Sequence, residues 1–143
     1  MKEALKEGKN MKVLAVGDIV GTAGINKLKQ SLKQITEKEK IDFVIVNAEN
    51  SAEGMGITEK NFKDITSLGV DCITMGNHTW GKKDIFKFID HPKLIRPANY
   101  PEGVVGKGYN IYNFRPNNKW CSARVWKIND TNYFFRMPEF LLS

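Results

Sequence analysis

Three short, uninterrupted apolar runs, each followed by a polar cluster and then by a helical stripe, decide which architectures are open to this chain. Residues 12–16 (KVLAV), closed by Gly17, lead through a polar loop to Ile25, Leu28, Leu32 and Ile35. Those four apolar positions fall three and four apart, the stripe of an amphipathic helix. Residues 43–46 (FVIV) form a second run, followed by a loop over 47–56 and a helix opening near Thr58. Phe62, Ile65 and Leu68 give that helix its apolar side, and Gly69 stops it. Residues 70–75 (VDCITM) read as a third strand. Ile85, Phe86 and Ile89 predict a third helix, ended by His91 and Pro92, and residues 94–96 a short fourth strand. Continuous apolar strands alternating with helices predict an α/β fold, a layered parallel sheet with flanking helices. Right-handed crossovers then point every strand the same way, so all strand-to-helix loops emerge at one edge.

What those loops carry is unusual in combination. The first strand ends in Gly17-Asp18-Ile19-Val20-Gly21, the second in Asn47-Ala48-Glu49-Asn50, and the third in Gly76-Asn77-His78-Thr79-Trp80. Taken singly, each has a bland explanation: Asp18 as a helix-entry acceptor, Glu49 as an exposed loop acid, Asn50 or Asn77 as a turn former, His78 as a hydrogen-bonded core histidine. Together they bring two carboxylates, two carboxamides and an imidazole to the rim where open α/β sheets bind ligands. Hard oxygen donors with imidazole favour a site for Mn, Fe or Zn, and a near-neutral imidazole beside a metal suits proton transfer to a leaving oxygen. His91, before Pro92 at a helix end, reads as a capping residue.

Other classes fit less well. Gly17, Gly21 and Gly24 are spaced four then three apart, which matches no dinucleotide fingerprint, and no Gly-Lys-Ser/Thr follows. The loop Glu53-Gly54-Met55-Gly56 reads as a flexible connection that could also cover a ligand. A net charge of +6 permits an anionic partner, but the lysines are scattered rather than clustered with aromatics, so no dedicated nucleic-acid-binding module is expected. Two cysteines, Cys72 and Cys121, supply neither a disulfide framework nor a four-cysteine zinc site. No apolar stretch reaches the roughly 18–20 residues of a membrane span, and the start lacks the apolar segment of a secretory signal. The expected location is cytoplasmic, with no membrane partner.

The blocks GDIVG (17–21), VNAEN (46–50), GITEK (56–60), GNHTW (76–80) and RPANYPEG (96–103) resemble the calcineurin-type metallophosphoesterase superfamily. More narrowly, they are similar to its bacterial YmdB-like branch of 2′,3′-cyclic-nucleotide 2′-phosphodiesterases. The resemblance implies the amino-terminal half of a metallophosphoesterase α/β sandwich over residues 11–114, with 1–10 an extension and Met11 the original start. It implies two divalent ions, Fe or Mn with Zn or Mg as alternatives. Asp18 and Asn50 would bind the first ion, Asn77 the second, and Glu49 would bridge both; His78 would be the proton donor. The implied chemistry is two-metal hydrolysis of 2′,3′-cyclic nucleotides or related phosphodiesters.

The family also brings a second half with three metal-binding histidines, whereas this chain has two histidines in all, His78 and His91. All twelve glycines lie at or before Gly108, while Arg115, Arg124, Arg136, Trp120 and Trp126 come after Phe114. Residues 115–143 are therefore read as a divergent tail, either an edge hairpin or a non-native continuation left by truncation or frameshift. A half-built site predicts impaired catalysis, with a catalytically inactive remnant that binds nucleotide or a partner subunit as the alternative. An uncovered sheet edge or apolar face predicts homo-oligomers.

Overall fold

The computed structural model describes residues 12–114, 119–127 and 133–136. The expected extension 1–10, together with residues 115–118, 128–132 and 137–143 of the tail, lies outside the described residues. The order is β1 (Val13–Val16), α1 (Gly21–Glu39), β2 (Phe43–Asn47), α2 (Glu59–Ser67), β3 (Cys72–Thr74), a 3₁₀ helix (Lys83–Lys87), β4 (Leu94–Ile95), β5 (Tyr109–Phe114), β6 (Lys119–Lys127) and β7 (Tyr133–Arg136).

Strands β1 to β4 lie side by side in sequence order, all parallel, with Val13 opposite Phe43, Ile45 opposite Cys72 and Ile73 opposite Leu94. This is the α/β sheet the apolar runs call for. Right-handed crossovers in an unbroken 1-2-3-4 order place every connecting helix on the same face. Ile25, Leu28 and Leu32 of α1, Phe62 and Ile65 of α2, and Ile85 pack there against Val44, Val46, Ile73 and Leu94. Alternate strand residues, Phe43, Ile45, Cys72 and Ile95, face the other way. Tyr112 of β5 covers part of that second face, its ring 5.1 Å from Phe43 and its hydroxyl donating to the Pro92 carbonyl at 3.0 Å. Strands β5, β6 and β7 form an antiparallel sheet of their own.

Helix α2 starts as the sequence predicts: Thr58 caps it, its side chain accepting from Asn61 N–H at 3.2 Å, with Glu59 in the first turn. Leu68 closes it, and Gly69 follows at φ +90°. The expected third helix is instead a five-residue 3₁₀ helix. With three residues per turn, Ile85 and Phe88 share a side and Phe86 is turned off it. Ile85 is fully buried and Phe86 is 55% exposed, so Phe86 is not the core residue its spacing suggests.

The fourth strand stops at Ile95 because Arg96 bonds elsewhere. Its N–H donates to the Lys107 carbonyl, and its guanidinium donates to the carbonyls of Val105, Pro97 and Val104 at 3.1, 2.8 and 3.0 Å. At the other side of the sheet β1 is an edge strand among the described residues. A groove of about 540 Å³ runs beside it, lined by Leu14, Val16, Leu28, Leu32 and Ile35, with Asp18 also on its wall. Among the described residues no helix is long and apolar enough to cross a membrane.

Candidate metal and phosphate site

Parallel strands of similar length bring their following loops to a common rim, and backbone hydrogen bonds lock those loops together. Ile19 N–H donates to the Asn47 carbonyl at 3.1 Å, Gly21 N–H to Asn50 at 3.0 Å, and Ala48 N–H to Thr74 at 3.1 Å. The loop after β1 is thus bonded to the loop after β2, and β2 is bonded to the end of β3.

Three of the five predicted side chains join directly on this frame, and a fourth, Glu49, reaches it through the main chain of His78. Asn50 Nδ2 donates to Asp18 Oδ1 at 2.7 Å, and Asn50 Oδ1 lies 2.5 Å from His78 Nδ1. Glu49 Oε2 accepts the backbone N–H of His78 at 2.9 Å. Asn77 is half-buried in the third loop, between Gly76 and His78 in the chain. Asn50 is the hub. A carboxylate only accepts, so Asp18 fixes the orientation of the Asn50 amide with its nitrogen toward Asp18 and its oxygen toward His78. His78 Nδ1 must then be the donor, which leaves Nε2 as the ring nitrogen open to chemistry.

Burial sets the roles apart. Asp18 is exposed, Asn50 and His78 are half-buried, and Glu49 is 3% exposed. Among the described residues Glu49 has no basic side chain paired with it. A buried carboxylate without a cationic partner is costly, and a bound cation would compensate it. Asn47 Oδ1, Ser51 Oγ and Thr74 Oγ1, all buried near the same strand ends, have no hydrogen-bond partner among the described residues. The donor chemistry therefore fits hard divalent cations, with two carboxylates and carboxamide oxygens as ligands. Among the described residues no three His, Cys, Asp or Glu side chains cluster as a candidate metal site, so any ion held here would draw on the Asn50 and Asn77 carboxamides as well.

The Glu49 loop is held by a close glycine contact. Gly56 donates its N–H to the Glu49 carbonyl and takes φ +77°. A Cβ on Gly56 would fall 2.7 Å from Lys82 N and 3.0 Å from the Gly81 carbonyl carbon. At Gly56 the stretch read as a flexible connection is packed against the loop that carries His78, while Gly54 faces open space. His91 lies apart: its Nδ1 accepts from Lys93 N–H at 3.1 Å, and its ring packs edge-on against Phe62. Trp80 and Tyr100, which the sequence shows only inside motif blocks, and Phe86, which its spacing assigns to a helix stripe, come together as neighbouring rings, and Tyr100 bonds the Gly76 carbonyl. Their aromatic spacing around a polar motif was the available signal.

A parallel α/β sheet with acid, amide and imidazole groups gathered at its carboxyl rim defines the class of protein. The model of the YmdB-like protein family matches residues 14–136, and the chain belongs to that family. The match runs past residue 114, through the change in composition. The chain is 50% identical over 99 residues to the 2′,3′-cyclic-nucleotide 2′-phosphodiesterase of Bacillus subtilis (strain 168), covering 68% of this chain and 38% of that one. A Mycoplasma pneumoniae relative is 38% identical over 144 residues, 94% of this chain and 51% of its own length. Among solved structures, one described as a novel phosphatase from Mycoplasma pneumoniae superposes with a TM-score of 0.70 at 36% identity, covering 77% of this chain and 40% of that one. The chain thus spans 38% to 51% of the length of these curated relatives.

Proposed function

We propose that this chain supplies the amino-terminal ligand loops of a metal-dependent phosphodiesterase acting on 2′,3′-cyclic nucleotides or related phosphodiesters. The observation that carries the reading is the continuous hydrogen-bonded path Asp18–Asn50–His78–Glu49 across three separate loops. Asp18, Glu49, Asn50 and Asn77 would hold two divalent ions, Fe or Mn with Zn or Mg as alternatives. When bound, such ions neutralise phosphoryl oxygens and make water a competent nucleophile near neutral pH. The Asn50 oxygen has two lone pairs, so it can face a cation and still accept from His78 Nδ1. That bond orients the ring, and a proton carried at Nε2 is the one His78 can deliver to the departing oxygen.

Calorimetric titration of the full chain with Mn²⁺, beside Asp18→Ala and Glu49→Gln, tests the assignment. Hydrolysis of bis(p-nitrophenyl) phosphate with Mn²⁺ or Fe²⁺ is followed in parallel. Loss of metal binding in both variants, with any turnover abolished, is the expected result; binding indifferent to both substitutions overturns the reading.

A second reading is a catalytically inactive remnant that binds nucleotide or a partner subunit. The Asp18 and Asn50 oxygens are already engaged by donors of the protein itself, which favours it. Nucleotide binding that needs no metal, with no turnover, would select it.

A further inference from the structure

We propose that Trp80, Phe86 and Tyr100 form a stacking ledge for the base of a nucleotide whose phosphate sits at the neighbouring rim. The inference deepens the phosphodiesterase reading and rests on it for the phosphate. The Trp80 and Phe86 rings are nearly parallel, with centroids 5.7 Å apart and planes 6° apart, and Tyr100 lies 6.4 Å from Trp80 at 37°. Trp80 is 36% exposed and Phe86 55% exposed, so the stack keeps open surface. Aromatic rings of this size favour burial, and an exposed group of them marks a surface that takes a ligand.

The loop bearing Trp80 is fixed relative to the rim. Tyr100 donates its hydroxyl to the Gly76 carbonyl at 2.9 Å, Gly81 N–H donates to the His78 carbonyl at 2.9 Å, and buried Thr79 also bonds Gly76. Met55, 52% exposed, adjoins the same loop: a Cβ on Gly81 would fall 2.7 Å from its Cγ. Its polarisable thioether adds apolar surface to that loop, of the kind a flat heteroaromatic base contacts. Trp80 follows His78 by two residues, which joins a surface for a planar ring to groups suited to a phosphate. A nucleotide carries both parts. Base stacking on an aromatic platform is sequence-tolerant, so the ledge would favour nucleotides over base-free phosphate esters without selecting one base.

The test compares binding of adenosine 3′-monophosphate and ribose 5-phosphate to the full chain with Mn²⁺, by calorimetry and by NMR shifts of the adenine protons. Adenosine monophosphate should bind about tenfold or more tighter. Trp80→Leu and Phe86→Leu should remove that advantage while leaving ribose 5-phosphate affinity unchanged, and Trp80→Phe should restore most of it. Phe86 is exposed enough for its variant to remain folded, which circular dichroism verifies. Equal affinities for the two ligands, an advantage that survives both leucine variants, or no binding of either ligand overturns the ledge. A base-dependent advantage that persists in Asp18→Ala, with Mn²⁺ binding also unchanged there, supports the ledge and counts against the phosphodiesterase reading instead.

Discussion

Alanine at Gly56 should cost far more stability than alanine at Gly54, although both glycines occupy left-handed backbone in the same loop. Gly54 has φ +85° and Gly56 φ +77°, so the conformational penalty is nearly equal, about 1–2 kcal/mol for an L-residue. The surroundings differ. A Cβ at Gly54 meets nothing within 4 Å, whereas one at Gly56 meets Lys82 N at 2.7 Å and the Gly81 carbonyl carbon at 3.0 Å. Both of those are main-chain atoms and cannot swing away as a side chain would. Forced separation of two packed loops adds about 1–3 kcal/mol, the usual range for overpacking. Gly56→Ala should therefore lose about 2–5 kcal/mol and Gly54→Ala about 1–2 kcal/mol. Urea denaturation of the two variants, read by circular dichroism, measures the difference directly. A gap smaller than about 0.5 kcal/mol, the ordinary scatter of a surface substitution, would refute the close-approach argument. Because Gly56 N–H also bonds Glu49, Mn²⁺ affinity should fall more in Gly56→Ala than in Gly54→Ala.

Other substitutions probe other parts of the molecule. Arg96→Lys keeps the charge but cannot reach three carbonyls with one ammonium, and should destabilise by about 1.5–3 kcal/mol in the same denaturation assay. Burial raises the Asp71 carboxyl above its ordinary range, against the opposing effects of the Val44 N–H bond and Lys93. Its ionised form is disfavoured in the folded state, so this contribution is greatest below about pH 4 and is lost as pH rises through the folded value. Asp71→Asn should gain stability at pH 7, and the gain should vanish below about pH 4. Desolvation, then Lys93 and Lys107, lowers the His91 pKa. Stability should fall as pH drops below about 6.5, where the unfolded imidazole takes a proton first, and His91→Asn should flatten that slope in denaturation series at different pH.

The sheet was legible because strand and helix periods differ, and each apolar run was long enough to show which it followed. The ends of α2 were legible because Thr58 and Gly69 act locally. The segment around Ile85 and Phe86 misled because its apolar spacing matches a helix, while only a 3₁₀ helix of five residues forms. Strands β6 and β7 were hard to read, since their alternation is weak and their pairing partner is another strand, not a helix-backed core. At the rim the residue types were visible in sequence. The role of Asn50 between Asp18 and His78 was not, because it depends on backbone bonds such as Gly21 to Asn50 that link positions far apart in the chain.

Strand β1 bears on how the molecule handles company. Its composition is that of an inner strand, yet Val13, Leu14 and Val16 are only half-buried while every residue of β2 and β3 is buried. Among the described residues no strand pairs with its outer side, and an edge of this kind, beside the channel along α1, is where an extended segment can add to a sheet. Asp18 lies just past the end of this seam, so whatever settles there also shapes the approach to the polar rim.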